Sequence, residues 1–481
     1  MKKIILTIAG LLTFGLMNSC LEDVLDLKPP YDKPLSDAIK TEEDVQLFLN
    51  GAYMKISTTA LYGSHVVVFG DLIGDSFFRS NSSAGTFNSL AYMNYSPSNL
   101  DDIDFYRSAY DVIQNANFVI YNELEETPLN KQYKAEASVL RALTYFTLLN
   151  YYASSPASNQ YQEYGVPIAA YPYNSDVKLS RSSVSEVYDL IIRDLNYAIE
   201  NGIETPSSKV RISNSAARIL LSRVYLTRQA SGDAQKALEL SQAVQATANT
   251  SGSVFRRITA KNEYVSYFSG NRDALTENMP ETIWELDINS MNTPGVNYSL
   301  GTYYSGLSPK PSILAKTSFY ESIPTSDIRK GLFSTTRVPT NNNPLGAWIT
   351  KHNHINIGGN YLRNVKIFRV SEAYLNEVEA LYQLNRNAEA LTKLNEFATV
   401  RQGSTYSGTN LLKDILDERN KEFFGEGQRF LDLKRYNLPI NNITNCSDDC
   451  VIPANDKLFV FPMTLTGLIL NPNAVQHPLW Q

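Results

Sequence analysis

The sequence predicts a mainly α-helical fold that carries two long irregular segments. Apolar residues recur at helical spacing through several stretches of the first half of the chain. Two later stretches, 217–244 and 372–398, resemble each other as helix–turn–helix units. By contrast, residues 60–100 and 250–365 are rich in Asn, Gly, Ser, Pro and Tyr, which is typical of loops. We therefore expect a helical scaffold whose function lies in its loops.

The N-terminal residues predict an export signal. Two lysines precede an almost wholly apolar run from Ile4 to Met17, which is shorter than the about 20 residues of a transmembrane helix. A small residue and then Cys20 follow, so residues 1–19 resemble a lipoprotein signal that is removed before the cysteine is acylated. The alternative is an ordinary secretory signal followed by an incidental cysteine.

The charge of the exported chain argues against nucleic acids and anionic membranes as partners. Loss of two of the 43 Lys and Arg leaves 41 against 49 Asp and Glu, a formal charge of −8. An acidic chain without a basic tract is a poor candidate for binding nucleic acid or an anionic membrane. The lipid on Cys20 would be the membrane anchor, residues 20–35 an acidic tether, and residues 36–481 a single domain.

Capping signals and periodicity define the first helices. Thr41 with Asp44 and Ser183 with Glu186 have the spacing of capping boxes, in which side chain and backbone bond reciprocally at a helix start. Apolar side chains at helical spacing follow each of them. The predicted helices cover 41–56, 105–124, 131–152 and the segment that begins at Ser183.

The two helix–turn–helix stretches look like tetratricopeptide repeats. Each has a short turn and a second helix that opens with Ala and carries Ala-Leu. Such a pair buries its apolar face only by stacking on a neighbour, and 105–124 with 131–152 could supply a further unit. Between the repeats, residues 281–287 alternate like a short strand, on which we expect Trp284 to be buried.

Two cysteines remain if Cys20 carries the lipid. Cys446 and Cys450 lie in a short polar loop, and a disulfide is expected in an oxidising exported context. A zinc site would need more ligands than this loop offers. His352 and His354 could share one face of a strand, but a third ligand is missing, so the sequence predicts no metal site.

Four stretches of the chain, taken together, resemble the SusD/RagB family. Their order and spacing run from the lipoprotein cysteine to the last residues. They are Phe105-Tyr106 to Ala116-Asn117, Ala135-Glu136-Ala137 to Tyr151-Tyr152 with Gly165-Val166-Pro167, Glu418-Arg419 to Leu433-Lys434-Arg435, and Phe461-Pro462 to Trp480.

The resemblance implies a tetratricopeptide scaffold and a non-catalytic function without a cofactor. Members of this family are surface-exposed lipoproteins of the outer membrane that cap a SusC-like TonB-dependent transporter. They capture oligosaccharides or polysaccharides, and in the RagB branch peptides. A peptide-capturing lid is therefore the alternative function, and a surface glycoside hydrolase is a third hypothesis that would need a pair of catalytic carboxylates.

Two loop regions are expected to supply the ligand-binding side chains. Sugars stack on aromatic rings and bond to planar polar groups, and in the family such aromatics come from loops in these two parts of the chain. The expected residues are Phe77, Arg79, Asn81 and Tyr92 in the first region and Tyr298, Tyr303 and Tyr304 in the second.

Acidic clusters in the sequence have structural explanations. Asp71 and Asp75 are the pair that best fits glycoside hydrolysis, but acidic residues near a helix start more often cap it. The cluster of Glu426, Arg429 and Asp432 is expected to be a salt-bridged corner between two helices rather than a binding group.

Overall fold

The structure is a computed structural model of the 481-residue chain. It describes residues 38–80, 87–100, 104–169, 171–172, 174, 176–269, 277–306, 308, 311–334, 345–353, 362–441 and 451–481.

Helices dominate the described residues, which confirms the predicted fold class. They are α1 (Glu42–Ile56), α2 (His65–Leu72), α3 (Asn88–Ala91), α4 (Phe105–Ile120), α5 (Pro128–Tyr152), α6 (Val184–Asn201), α7 (Asn214–Arg228), α8 (Asp233–Asn249), α9 (Lys261–Ser269), α10 (Leu300–Tyr304), α11 (Thr317–Ser322), α12 (Val370–Gln383), α13 (Asn387–Val400), α14 (Leu411–Phe423), α15 (Arg429–Arg435) and α16 (Leu465–Leu470).

The long helices form one stacked array. Helix α1 packs on α4, and α4, α5, α6, α7 and α8 then pack on one another in chain order. Helix α12 packs on both α7 and α8, and α13 follows it. The two predicted helix pairs are therefore neighbours, as expected for units that bury their faces by stacking. None of the helices in the described part of the chain has the length and apolar character that crossing a membrane requires.

The two predicted capping boxes are present at the N-termini of α1 and α6. The Thr41 hydroxyl accepts a hydrogen bond from the Asp44 N–H at 3.2 Å, and the Asp44 carboxylate accepts one from the Thr41 N–H at 3.0 Å. The same reciprocal pair joins Ser183 and Glu186. Both capping boxes are confirmed, and each satisfies backbone donors that a helix start leaves without partners.

Residues 60–100 and 250–365 contain more regular structure than the sequence predicts. Helix α2 is not predicted by the sequence, and every residue of it after His65 is buried. A helix that is buried on all sides has a continuous apolar sequence, so it lacks the periodicity by which an amphipathic helix is recognised. The second region likewise contains α9, α10 and α11 and several strands.

The strands are short and pair in antiparallel fashion. They are β1 (Phe77–Arg79), β2 (Thr282–Leu286), β3 (Ile313–Lys316), β4 (Phe333–Ser334), β5 (Gly346–Ile349), β6 (Val365–Arg369), β7 (Ile440–Asn441) and β8 (Val451–Ile452). One sheet has the order β1-β3-β5-β4, and β2 pairs with β6 and β7 with β8. Trp284 on β2 is fully buried, as predicted, but all five β2 residues are buried instead of alternating.

Buried charges tie the C-terminal helices to the rest of the core. Glu422 on α14 bonds Arg369 at 3.0 Å, Arg401 at 3.0 Å and Arg329 at 3.4 Å, and none of these four side chains is more than 1% exposed. Burial alone would raise the pKa of Glu422, but the guanidinium groups, Arg401 first, hold it well below its usual value.

Removing the Glu422 carboxylate should destabilise the fold strongly. We expect Glu422→Ala to lower the free energy of unfolding by about 3–5 kcal/mol, because it leaves buried guanidinium groups without their shared partner. The measurement is urea unfolding at pH 7. The Glu422 pKa is depressed in the folded state, so the difference between the variant and the wild type should shrink as the pH falls below about 4.5.

Glu389→Ala is the matched control, since Glu389 forms an exposed pair with Arg386 on α13. Its unfolding midpoint should equal that of the wild type. Equal midpoints for Glu422→Ala and Glu389→Ala would contradict the role given to the buried network.

Candidate functional site

The two loop regions named by the sequence meet in the structure. Strand β1 pairs with β3, with Arg79 opposite Ile313. Just beyond this pairing, the Ser80 N–H donates to the Ser312 carbonyl at 2.7 Å, and the Ser312 N–H donates to the Tyr303 carbonyl at 2.8 Å. The segment after β1 and helix α10 are therefore both hydrogen-bonded to Ser312, the residue that precedes β3. We use the name tyrosine face for Tyr298 and Tyr92, which keep exposed surface, together with Arg79, which contacts Tyr92.

Three of the expected binding residues pack in the core beneath this surface. Phe77 and Tyr304 contact each other edge to face with ring centroids 5.8 Å apart, and both are at most 1% exposed. Tyr303 is 2% exposed and packs against Phe87 at 5.0 Å. These rings present no open face to a ligand. The sequence predicts a polar loop around Tyr303 and Tyr304, but these residues lie in the buried helix α10. Phe77 on β1 packs against this helix. The three residues therefore support the tyrosine face instead of forming it.

Arg79 and Tyr92 form a fixed pair. The Arg79 guanidinium donates to the Tyr92 hydroxyl at 2.9 Å, and its central carbon lies 5.2 Å from the centroid of the same ring. Arg79 is 7% exposed and Tyr92 is half-buried. The contact orients a partly accessible tyrosine through a charged donor. Asn81, the fourth residue expected in this region, lies outside the described residues.

Tyr298 is the accessible aromatic of the second region. It is 53% exposed and follows a turn in which its N–H donates to the Gly295 carbonyl at 3.3 Å. Directly after it, Ser299 caps α10 by accepting from the Thr302 N–H. One backbone hydrogen bond before Tyr298 and one side-chain cap after it thus hold the chain on both sides of this exposed ring. An exposed tyrosine ring can stack on the apolar face of a sugar.

Asp71 and Asp75 are held by structural partners. Asp71 is fully buried and accepts from the Tyr304 hydroxyl at 2.6 Å and from the Gly427 N–H at 3.2 Å. Burial raises the pKa of Asp71 to about 7. Asp75 accepts two hydrogen bonds from Arg429, at 2.7 and 2.9 Å, and this pairing lowers the pKa of Asp75 despite its burial. Both carboxylates are therefore engaged in contacts within the fold.

The corner between α14 and α15 is salt-bridged, as the sequence predicts. Arg369 bonds the Glu426 carboxylate at 2.9 and 3.0 Å, and Asp432 pairs with Arg419 and Arg435. Gly427 adopts a left-handed backbone with φ of 73°, and a Cβ there would lie 2.7 Å from the Val67 Cα. A glycine is therefore required where the corner meets α2.

The described residues contain no group of three or more His, Cys, Asp or Glu side chains that could hold a metal ion. His352 is buried, bonds the Gly425 carbonyl at 2.6 Å, and has its pKa lowered to about 4 by burial. His354, the lipidation candidate Cys20 and the predicted disulfide partners Cys446 and Cys450 lie outside the described residues.

An interior cavity lies behind α10 but is too small for a saccharide. Its volume is about 40 Å³, and Ser299, Lys351 and Glu426 are among its lining residues. A cavity of this size has room for a few water molecules, each of which needs roughly 10–15 Å³.

Two family models match the chain in succession. The first, described as "Starch-binding associating with outer membrane", matches residues 23–226, and the second, described as "SusD family", matches residues 224–457. The chain belongs to the SusD family. The family resemblance that the sequence motifs indicated is confirmed.

Relatives and solved structures agree with membership of the SusD family. The chain is 24% identical to SusD-like protein P38 of Formosa agariphila, and the match covers 99% of both chains. A SusD superfamily protein from Bacteroides thetaiotaomicron is 25% identical, with a TM-score of 0.79 over 91% of this chain and 100% of that one. Surface glycan-binding protein A from Bacteroides fluxus shares the fold at 21% identity, with a TM-score of 0.72 over 92% and 100%.

Asp71 should make this SusD-family fold less stable as the pH rises from about 4 to about 7. The folded state keeps the Asp71 proton up to a pKa of about 7, whereas the unfolded chain loses it near 3.8, so stability falls through this window. Asp71→Asn removes this dependence. We expect its stability relative to the wild type to increase across the window by up to about 4 kcal/mol, measured by urea unfolding at several pH values.

Asp75→Asn is the control of opposite sign. The folded pKa of Asp75 is lowered, so the variant should be less stable than the wild type above pH 3.8 and should approach it at lower pH. A constant stability difference between Asp71→Asn and the wild type from pH 4 to 7 would show that Asp71 is ionised in the folded protein.

Proposed function

We propose that this protein is a non-catalytic, surface-exposed lipoprotein that binds a glycan and delivers oligosaccharides to a SusC-like TonB-dependent transporter. The observation that carries the proposal is the exposed ring of Tyr298, which directly precedes the N-cap of α10, a helix that packs through Tyr303 on Phe87 in the segment between Arg79 and Tyr92. The description of the family as starch-binding supports a carbohydrate as the ligand.

The chemistry of the tyrosine face fits recognition without reaction. Tyr298 offers an apolar ring for stacking, and Tyr92, held by Arg79, offers a hydroxyl that can bond a sugar hydroxyl. Asp71 and Asp75, the carboxylates that best fitted a hydrolase, are engaged with Tyr304, Gly427 and Arg429. The proposed cycle is therefore capture by stacking and hydrogen bonds, followed by release to the transporter.

The proposed location is the outer surface of the outer membrane, with the lipid on Cys20 as the anchor. The description of the matching family as associating with the outer membrane supports this location. An acylated cysteine followed by an acidic tether would hold the helical domain at the surface, where it could cover the mouth of a transporter.

Tyr298→Ala should weaken glycan binding without affecting the fold. An aromatic contact contributes roughly 0.5–1.5 kcal/mol, so the dissociation constant for a bound glycan should rise by a factor of about 2 to 12. The measurement is isothermal titration calorimetry with the polysaccharide that retards the protein most strongly in affinity gels.

Tyr121→Ala is the matched control, because Tyr121 is 41% exposed at the end of α4. It should bind as the wild type does. Equal affinity of all three proteins would exclude Tyr298 from the site. Binding of peptides, but of no glycan, would favour the peptide-capturing lid.

Cys20→Ala should release the protein from the outer membrane. Without the thiol no lipid can be attached, and the anchor is lost. Fractionation of cells followed by mass spectrometry of the N-terminal peptide measures both effects, and the wild type should co-purify with a transporter-sized barrel protein. A Cys20→Ala protein that stays in the membrane fraction would contradict the proposed anchor.

A further inference from the structure

A second surface cleft, distinct from the tyrosine face, lies between α1 and the turn that follows β2. Its volume is about 480 Å³, within the range of roughly 300–1,000 Å³ of small-molecule sites. Met54 on α1 forms one wall and Met291 on the turn forms another, and they are 51% and 88% exposed. Two methionines so open to solvent in one cleft give it an adaptable apolar surface.

The turn that carries Met291 is held by its own side chains. The Asn289 side chain donates to the Asp287 carboxylate at 3.0 Å and accepts from the Met291 N–H at 2.9 Å. The backbones of Asn289 and Asn292 bond each other in both directions, at 3.2 and 3.1 Å. Met291 is therefore presented from a fixed turn, so little conformational entropy of the backbone would be lost on binding.

Planar polar groups surround the two methionines. Asn50, Arg211, Asp287 and Asn292 line the same cleft. The Arg211 guanidinium donates to the side-chain amide oxygen of Asn50 at 3.4 Å, while Asp287 is exposed. An apolar floor with a few polar groups at its rim is the usual lining of a small-molecule site, and it matches the apolar faces and hydroxyl edges of a sugar.

The charges of the cleft favour a neutral ligand. Arg211 is the cation among the described residues that line the cleft, and it is neutralised by Glu136 through contacts of 2.9 and 3.0 Å. Among the described residues that line the cleft, Asp287 is then the charged side chain whose charge is not balanced by an ion pair in the cleft. A sulfated or uronic-acid sugar would meet this carboxylate without a free cation to compensate, and like charges repel.

We infer that the cleft of Met54 and Met291 is a second subsite for a neutral oligosaccharide. The inference rests on the proposed glycan-binding function and extends it. Tyr298 is seven positions after Met291 in the chain, so their Cα atoms lie within about 25 Å of each other. One polysaccharide chain can occupy the tyrosine face and the cleft together, and two linked contacts bind more tightly than either alone.

Methyl NMR tests the subsite directly. Met54, Met93, Met279, Met291 and Met463 are the methionines after Cys20, so a protein labelled with ¹³C-methyl methionine gives few signals. Short oligosaccharides from starch, laminarin, xylan and galactomannan are titrated, with alginate oligomers as the anionic comparison. We expect the Met54 and Met291 signals to shift with a neutral oligosaccharide and not with alginate, while Met279 and Met463 remain unchanged.

A double variant measures the contribution of the subsite. Met54→Gln with Met291→Gln keeps side-chain length at exposed positions but removes the apolar surface. Affinity for the polysaccharide should fall about 10-fold, the size of one lost contact of ~1.4 kcal/mol. The control is Ile469→Gln with Leu470→Gln, which removes exposed apolar side chains from α16 and should bind as the wild type does.

The outcomes separate this inference from the proposed function. If Tyr298→Ala weakens glycan binding while the Met54 and Met291 signals stay fixed in the wild type, the subsite is overturned and the function stands. If no oligosaccharide binds at all, both are overturned. Signals of Met54 and Met291 that shift only with a peptide or with the transporter would make the cleft a protein-docking surface and overturn the sugar subsite.

Discussion

Glu422 is enclosed by guanidinium groups that come from three separate parts of the chain. Arg329 precedes β4, Arg369 ends β6, and Arg401 follows α13, so one carboxylate joins the sheet region to the helical array. Buried charges are costly unless each is paired, and a misplaced element would leave several of them uncompensated. This network therefore constrains how the helices and the loop regions fit together.

The network continues from Glu422 to the tyrosine face through direct contacts. Arg369 also bonds Glu426, and the neighbouring Gly427 N–H donates to Asp71. Asp71 accepts from Tyr304 in α10, whose N-terminal cap follows Tyr298. The helical core thus supports an exposed tyrosine through a series of buried polar contacts. A surface that binds by stacking benefits from such support, because a fixed ring loses little entropy when a ligand docks.

Local signals predicted the scaffold well, but they could not predict which of the candidate binding residues are exposed. The capping boxes at Thr41 and Ser183 and the helix pairs depend on neighbours in sequence, so periodicity and spacing reveal them. Whether Tyr303 points inward and Tyr298 outward depends on the packing of α10 against Phe87, which no local pattern encodes. The pairing of Arg79 with Tyr92 likewise depends on how the segment between them folds.

Recognition without catalysis is the central feature of the proposed function. The most direct test is electrophoresis of the purified protein through gels that contain neutral polysaccharides, with an assay of new reducing ends on the same protein. We predict that at least one polysaccharide retards migration and that no reducing ends appear. Release of reducing ends, or unchanged migration in every polysaccharide, would contradict the claim.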